Sequence, residues 1–186
     1  MKFRVTNIDL FESQLNELGV EFESEAVEEI DTFFSHPQRD FNLTDECLRL
    51  RQRKFVDKHE ENFLTYKGPK IDKETKTRRE LEIKIEEINT LESILNALGF
   101  LPVDSVRKFR RHGVINVDNT SIELLLDFIP ELYDSPTGSH FVEIETIATE
   151  KNLEIKRQLI LSLAKELNLV ESIRTSYLGL LRQQRQ

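Results

Sequence analysis

The sequence predicts an α+β protein in which antiparallel strands, flanked by helices, form a closed or nearly closed barrel with a charged interior. At least six segments alternate apolar and charged residues with the period of two that is typical of strands. The charged faces of these segments divide by sign, basic on some strands and acidic on others. The segments Leu15–Val20 (LNELGV) and Leu95–Phe100 (LNALGF) resemble each other, which indicates a strand-helix-strand unit used twice.

Length and composition narrow the class of protein. A chain of 186 residues can bury a substantial core, and we expect residues 1–186 to form a single domain. The net charge of −8 argues against a protein that coats nucleic acid or an anionic membrane. The single cysteine, Cys47, excludes an intramolecular disulfide and a cysteine-rich zinc site. The sequence shows no signal segment and no membrane-spanning run, so we expect a soluble cytoplasmic protein.

In the first half of the chain, alternation predicts strands, and apolar residues at i, i+4 and i+7 predict one helix. Asp9 and Glu12 form a capping-box pattern before this helix, and Gly19 follows it. A break at Pro37 and a polar loop over Arg39–Glu46 separate two of the strands. The predicted elements are the strand Lys2–Val5, the helix from about Leu10 to Leu18, and the strands Val27–Phe34, Leu48–Arg51 and Phe63–Lys67, the last ending at Gly68-Pro69.

In the second half, the same two patterns predict four strands and three helices. A charged run over residues 70–77 and a turn-rich segment over Pro130–Ser139 are predicted to be loops. The predicted elements are the strand Arg78–Ile85, a helix over residues 90–98 closed by Gly99, the strands Val106–Arg111, Ser121–Phe128 and Phe141–Glu145, a helix from roughly Glu150 to Leu167, and a short helix around Tyr177 to Leu181.

The charge rows decide between two interpretations of the sheet. A sheet with one solvated charged face is common among antiparallel sheets. These rows, however, favour paired arginines, whose planar guanidinium suits bidentate binding of phosphate, and carboxylates at i and i+2, which suit Mg²⁺ shared with substrate phosphates. A charged barrel interior is therefore the sharper interpretation. The basic rows are Lys2/Arg4, Arg49/Arg51, Lys67 and Lys108/Arg110, and the acidic rows are Glu80/Glu82, Asp127 and Glu143/Glu145.

A family resemblance rests on motifs that run through nearly the whole chain. The longest is Phe34–Phe41 (FSHPQRDF), followed by Thr44–Glu46 (TDE) and Leu48–Arg51 (LRLR). The later motifs are Tyr66–Pro69, Arg78-x-Glu80-x-Glu82, Lys108-x-Arg110, Asp127, Phe141–Glu145 and Ser176–Leu178. In this order they resemble the CYTH superfamily of triphosphate tunnel metalloenzymes, in its class IV adenylate cyclase branch.

The resemblance implies a fold and an activity. The implied fold is an eight-stranded antiparallel β-tunnel with flanking helices, built from two related halves. The implied activity is metal-dependent chemistry on a triphosphate bound in the tunnel, with Mg²⁺ or Mn²⁺ as cofactor. The closest branch converts ATP to cyclic AMP and pyrophosphate, and other members hydrolyse inorganic triphosphate or thiamine triphosphate.

The resemblance also implies roles for individual residues. Glu143, Glu145 and Lys2 are the expected catalytic residues. The residues expected to bind the triphosphate are Lys2, Arg49, Arg51, Lys67, Arg78, Lys108 and Arg110. The residues expected to hold the metal are Glu143, Glu145, Asp127, Glu80 and Glu82.

Two positions depart from the family pattern. The family motif on the first strand is Glu-x-Glu-x-Lys, and here Lys2 matches the lysine while neither glutamate is present. Two explanations stay open: the start of the chain lies further upstream, or the remaining carboxylates bind the metal weakly. The second departure is Gly113, because members of the family often have an aromatic residue after the Lys-x-Arg strand.

Other functions compete with the cyclase interpretation. A triphosphatase would use the same tunnel, and the missing glutamates also allow a non-catalytic binder of nucleotides or polyphosphate. RNA binding is disfavoured by the acidic composition and the lack of aromatic stacking platforms. The four histidines lack the spacing of a zinc site. We expect a small triphosphate as partner rather than nucleic acid or membrane, and a homodimer is left open.

Overall fold

The computed structural model describes residues 1–71, 77–132 and 138–186. The described residues form nine strands and five helices. The strands are β1 (Lys2–Val5), β2 (Glu21–Phe22), β3 (Val27–Ser35), β4 (Cys47–Lys54), β5 (Glu60–Lys70), β6 (Arg78–Ile85), β7 (Leu101–Val117), β8 (Thr120–Ile129) and β9 (Ser139–Glu145). The helices are α1 (Ile8–Glu17), α2 (Phe41–Thr44), α3 (Ile88–Ala97), α4 (Leu153–Glu166) and α5 (Tyr177–Gln184).

The chain divides into two compact units, which are described separately. Unit 1 comprises Met1–Ala26 and Lys108–Gln186, and unit 2 comprises Val27–Arg107. The long strand β7 crosses this division, with its first seven residues in unit 2 and the rest in unit 1. None of the helices in the described ranges is long and apolar enough to cross a membrane.

Unit 1 is built on four antiparallel strands in the order β1-β9-β8-β7, with the short β2 also paired to β7. Its core lies between one face of these strands and the helices α1 and α4. A two-residue turn at Asp118-Asn119, both with positive φ, joins β7 to β8, and this conformation matches the twist of a hairpin. The buried core residues are Phe3, Val5, Phe11, Leu15, Val20, Ile122, Leu124, Leu126, Val142, Ile144, Ile160, Leu163, Ala164 and Leu167.

Unit 2 is built on β3, β4, β5 and β6 in that order, with β3 also next to β7. Alternation along β4 points Leu48 and Leu50 to one face, where they pack with Phe34 of β3 and Leu95 of α3. The arginines of β4 therefore lie on the opposite face. On β6 the predicted apolar face is only partly covered, and Leu81 and Ile83 remain 50% and 60% exposed.

The helices α1 and α3 end in the same way, which supports the predicted repeat. Gly19 and Gly99, eighty residues apart, both have positive φ, at 75° and 86°. Each donates its backbone N–H to the carbonyl of the residue three positions before it, at 3.0 Å and 2.9 Å. The next residue in each segment donates to the carbonyl of the buried leucine, Leu15 or Leu95. The LNxLG pattern thus encodes a helix cap and an anchored core residue in both places.

The antiparallel α+β fold class is confirmed, with eight strands in one continuous order and the short β2 as an addition that the pattern did not reveal. The predicted capping box of α1 is wrong, because the side chain of Asn7 accepts the N–H of Leu10 at 3.1 Å and is the cap. The predicted loop Arg39–Glu46 contains the single turn α2, whose first N–H groups are capped by Asp40.

Other element boundaries differ from the prediction. The strand β5 continues through Gly68-Pro69 to Lys70, because a register shift between Lys67 and Lys70 accommodates the proline. The strand β7 is much longer than the predicted Val106–Arg111, and α4 begins three residues after Glu150. Of the predicted loops over 70–77 and Pro130–Ser139, residues 72–76 and 133–137 lie outside the described residues, while Lys70 belongs to β5 and Ser139 to β9. The single-domain prediction stays a prediction.

Candidate functional site

A buried group of charged side chains in unit 1 is centred on Arg110. In the β7–β8 pairing Arg110 lies directly opposite Asp127, and its guanidinium donates to both carboxylate oxygens at 2.6 Å. The same guanidinium donates to Oε2 of Glu143 on β9 at 2.8 Å. Arg110 and Asp127 are 8% and 1% exposed. Three adjacent strands thus place one guanidinium between two carboxylates, a bidentate geometry with strong charge-assisted hydrogen bonds.

Tyr177, the first residue of α5, completes this group. Its hydroxyl donates to Oδ2 of Asp127 at 2.7 Å. Burial, with the negative charge of Asp127 next in effect, raises the pKa of Tyr177 well above its ordinary value of 10.0. The phenol is therefore protonated at any ordinary pH and acts as a fixed donor to the carboxylate.

Two lysines of unit 1 are almost completely buried. Lys2 is 1% exposed and Lys108 is 2% exposed. The ammonium nitrogen of Lys2 donates to the carbonyl of Thr175 at 2.6 Å and lies 3.9 Å from the centroid of the Tyr177 ring. The ammonium nitrogen of Lys108 lies 5.9 Å from the same centroid. Both distances fall within the range of a cation–π interaction.

In unit 2, the predicted arginine row of β4 is buried against an acidic row of β3. Asp31 lies opposite Arg51 and accepts from its Nε at 2.6 Å, from its terminal nitrogen at 2.8 Å, and from Arg49 at 3.2 Å. Glu29 lies opposite Arg53 and forms an ion pair with it at 3.2 Å, and it also lies 2.9 Å from Arg51. The two arginines predicted to bind phosphate, Arg49 and Arg51, are each 8% exposed and lie on a neutralised internal face, not on a solvated one.

The remaining predicted residues of unit 2 lie on β5 and β6 and are more exposed. Lys67 is opposite Glu80, and their side chains form an ion pair at 2.7 Å. Glu82 accepts from the hydroxyl of Thr65 at 2.7 Å and lies 3.9 Å from Arg49.

Arg78 is half-buried. It donates to the backbone carbonyls of Asp45 and Gly68 at 3.1 Å and 3.2 Å, so it also braces the segment after α2.

The predicted site residues fall into two groups, one in each unit. Lys2, Lys108, Arg110, Asp127 and Glu143 lie together in unit 1, and Glu145 is exposed two residues further along β9. The other predicted residues, Arg49, Arg51, Lys67, Arg78, Glu80 and Glu82, belong to unit 2.

Three polar residues that contact the predicted ones are not among the site residues predicted from the sequence. Glu29 and Asp31 are 1% and 4% exposed, and Thr65 is fully buried. The first two alternate at i and i+2 on β3, the same signal that identified the other acidic rows, so the pattern could have revealed them. Tyr177 was recognised only as part of a motif, and its contact with Asp127 has no signal in the spacing.

The structure shows why residue 113 is a glycine in this chain. Gly113 on β7 lies opposite Phe22 on β2. A Cβ atom at residue 113 would lie 2.5 Å from the Phe22 ring. The Phe22 ring thus occupies the space that a side chain at residue 113 would need, and it also lies 5.2 Å from the guanidinium of Arg111.

The carboxylates allow a test of the implied divalent metal. Within residues 1–71, 77–132 and 138–186, no three His, Cys, Asp or Glu side chains lie close enough to form a metal centre by themselves. Mg²⁺, however, is commonly held by only one or two carboxylates together with substrate phosphates. Glu143 and Glu145 provide two carboxylates at i and i+2 on one strand, half-buried and exposed respectively, and this donor set fits such shared coordination.

Comparison with known proteins identifies the family. Residues 1–177 match the family model described as the CYTH domain. The chain belongs to the CYTH family. A protein of Methanocaldococcus jannaschii, named as a candidate adenylate cyclase, MJ0240, is 34% identical over 183 residues, which are 97% of this chain and 95% of that protein. This membership confirms the resemblance found in the sequence motifs.

Solved structures agree with this assignment. The PH1819 protein from Pyrococcus horikoshii OT3 is 34% identical, with a TM-score of 0.83 over 99% of this CYTH chain and 97% of that one. HpAC1 from Hippeastrum, a candidate adenylyl cyclase described as revealing a dominant triphosphatase activity, has a TM-score of 0.60 over 99% of this chain and 94% of that one. At 16% identity this second likeness shows the fold alone.

Proposed function

We propose that this CYTH protein is a metal-dependent enzyme that binds a triphosphate and converts ATP to cyclic AMP and pyrophosphate. The name of the M. jannaschii relative, at 34% identity, supports the cyclase assignment. In this reaction the 3′ oxygen of the ribose attacks the α-phosphorus, the bond from this phosphorus to pyrophosphate breaks, and the proton of the 3′ hydroxyl is released to solvent. Because the substrate supplies the nucleophile, the enzyme needs no serine or cysteine for this role.

The burial of three cations in unit 1 carries the proposal. Lys2, Lys108 and Arg110 are each less than 10% exposed and cluster around Tyr177 and Asp127, so three positive charges are concentrated in one small buried region. A triphosphate has the negative charge and the many acceptor oxygens that such a group can bind, and enzymes of phosphoryl transfer work mainly by positioning and charge stabilisation. We therefore assign phosphate binding to Lys2, Lys108, Arg110, Arg49, Arg51, Lys67 and Arg78.

The proposed enzyme would use Mg²⁺ or Mn²⁺. Glu143 and Glu145 are the residues that we expect to hold it, with Asp127, Glu80 and Glu82 as the other predicted ligands. When bound, the ion would neutralise phosphate charge and stabilise the leaving pyrophosphate. Asp127 also has a structural role, because both of its carboxylate oxygens accept hydrogen bonds from Arg110 and Oδ2 also accepts one from Tyr177.

A product assay tests the proposal. Purified protein is incubated with ATP and Mg²⁺ or Mn²⁺, and cyclic AMP, pyrophosphate and orthophosphate are measured separately. Equal amounts of cyclic AMP and pyrophosphate are expected. Lys108→Met should reduce the rate at least tenfold because it removes a buried cation, whereas Lys165→Met, at an exposed residue of α4, should not. A rate that Lys108→Met leaves unchanged contradicts the assigned role of this lysine.

A triphosphatase is the second candidate, because it would use the same buried cations to bind its substrate; the Hippeastrum protein, which shares the fold, is described as having such an activity. The same assay separates it from a cyclase, because orthophosphate released from ATP or tripolyphosphate without cyclic AMP indicates hydrolysis. Tight binding of tripolyphosphate in calorimetry without any product would instead indicate a non-catalytic binder. If tripolyphosphate neither binds nor reacts, the assignment of a triphosphate substrate is wrong.

A further inference from the structure

We infer that Tyr177 is a positioning residue that holds the cations of unit 1 in place for the substrate. This inference rests on the proposed triphosphate binding and assigns a role to a residue outside the predicted site. Tyr177 does not need to touch the substrate for this role. It acts through the charged side chains that it contacts.

Two different parts of the Tyr177 side chain make these contacts. The hydroxyl donates to Asp127 at 2.7 Å, and Asp127 in turn fixes the guanidinium of Arg110 through two hydrogen bonds of 2.6 Å. The ring faces the ammonium nitrogen of Lys2 at 3.9 Å and that of Lys108 at 5.9 Å. One aromatic side chain therefore connects charged residues from β1, β7 and β8.

The segment that carries Tyr177 is itself anchored to β1. The N–H of Ile173 donates to the carbonyl of Lys2 at 2.7 Å, and the ammonium of Lys2 donates to the carbonyl of Thr175 at 2.6 Å. Ser176 caps α5 by accepting the N–H of Gly179 at 3.0 Å, which fixes the direction in which the helix leaves Tyr177. The ring is thus held on both sides, by the hydrogen bonds with Lys2 before it and the helix after it.

The ring of Tyr177 also packs against Phe141 of β9, with the centroids 5.2 Å apart in an edge-to-face arrangement. This contact limits the rotation of the ring and keeps its face towards Lys2, whose ammonium is 5.8 Å from the Phe141 centroid. An ammonium held by a carbonyl and an aromatic face has few alternative positions. Binding of phosphate then requires little further ordering of the lysine, which increases affinity through preorganisation.

Three variants separate positioning from general stability. Tyr177→Phe keeps the ring and removes the hydrogen bond to Asp127, and Tyr177→Leu removes both. Leu181→Ala, at a buried residue of the same helix that is 1% exposed, is the matched control, because it weakens packing by an apolar truncation. Each variant is measured for thermal stability, for the Kd of tripolyphosphate by calorimetry, and for the ammonium NMR signal of Lys2 in ligand-free protein.

Tyr177→Leu should raise the Kd about tenfold, the size that a desolvated cation–π contact supports, and should shift the Lys2 ammonium signal. Tyr177→Phe should keep the Lys2 signal and raise the Kd less. Leu181→Ala should lower the melting temperature and leave both the Kd and the signal unchanged.

The inference is overturned if Tyr177→Leu binds tripolyphosphate as the unmodified protein does, or if its Lys2 signal does not move. It is also overturned if Leu181→Ala raises the Kd as much as Tyr177→Leu. Because the NMR measurement needs no ligand, it tests the position of Lys2 even if the unmodified protein fails to bind tripolyphosphate, a result that would refute the proposed function itself.

Discussion

Replacing Asp31 with asparagine should destabilise the protein strongly, because this carboxylate compensates two buried guanidinium groups. Asp31 is 4% exposed and accepts three hydrogen bonds from Arg49 and Arg51, at 2.6 to 3.2 Å. Removing one partner from a buried ion pair commonly costs about 3–5 kcal/mol, since the remaining charge stays buried without compensation. For a chain of this size, such a loss corresponds to a decrease of roughly 6–20 °C in melting temperature.

A suitable control lies on the same strand. Glu28 also pairs with an arginine, Arg107, but their side chains are 24% and 48% exposed. Exposed pairs contribute less than about 1 kcal/mol, so Glu28→Gln should change the free energy of unfolding little. Urea unfolding of both variants measures the difference. A loss in Asp31→Asn that is no larger than that of Glu28→Gln would refute the view that the arginine row depends on β3 for its charge balance.

The same variant tests the proposed phosphate binding of the arginine row. If Arg49 and Arg51 bind phosphate, Asp31 competes with the ligand for their guanidinium groups, and its removal leaves them more available. Ligand at one hundred times its Kd stabilises a protein by about 2.7 kcal/mol. Tripolyphosphate should therefore raise the melting temperature of Asp31→Asn by more degrees than that of the unmodified protein. An equal or smaller increase would argue against phosphate binding at these arginines.

Three further changes test local features. Gly113→Ala should cost about 1–3 kcal/mol in urea unfolding, because its Cβ would lie 2.5 Å from the ring of Phe22, and a neutral result would mean that the ring moves aside easily. Gly99→Ala should cost about 1 kcal/mol through its positive φ, and a stabilised variant would contradict the proposed helix cap. A hydrogen bond from Tyr66 lowers the pKa of Glu46 below its ordinary value of 4.5. This bond therefore stabilises the fold above pH 4.5, and its contribution to stability is lost as the pH falls through the lowered pKa. Melting curves should accordingly show Tyr66→Phe as less stable at pH 7 and equal in acid, and a difference that persists in acid would assign the effect to packing.

The sequence was sufficient to predict the charged faces because alternation alone determines which side of a strand a residue occupies. Alternation places Lys2 and Arg110 in the buried charged group of unit 1. It likewise places Arg49 and Arg51 in the buried charged group of unit 2. Alternation carries no information about which residues of two strands lie opposite each other. The pairing of Arg51 with Asp31 depends on the β3–β4 register, so it required the structure.

Contacts between distant segments were beyond the sequence for a related reason. Tyr177 and Asp127 are fifty residues apart, and their hydrogen bond depends on how the segment after α4 returns to β1. Nothing in the local pattern around Tyr177 differs from an ordinary helix start. The capping of α1 by Asn7 was missed for the opposite reason, since Asp9 and Glu12 offered a stronger local signal than the cap that the backbone uses.

The internal repeat explains which features of the fold could be predicted from the sequence and which could not. The offset of eighty residues that relates the caps of α1 and α3 also matches Phe3 with Ile83 and Lys2 with Glu82. Phe3 is 2% exposed and packs in the core with residues of α1 and α4, whereas Ile83 is 60% exposed. In the described core of unit 2, α3 is the one helix that contributes a buried residue. The repeat has therefore kept the helix cap and the anchoring leucine while the charge at the matched strand position has changed sign. A pattern that a fold requires twice can be recognised from one sequence, but the charges that differ between the two copies have to be located in each unit separately.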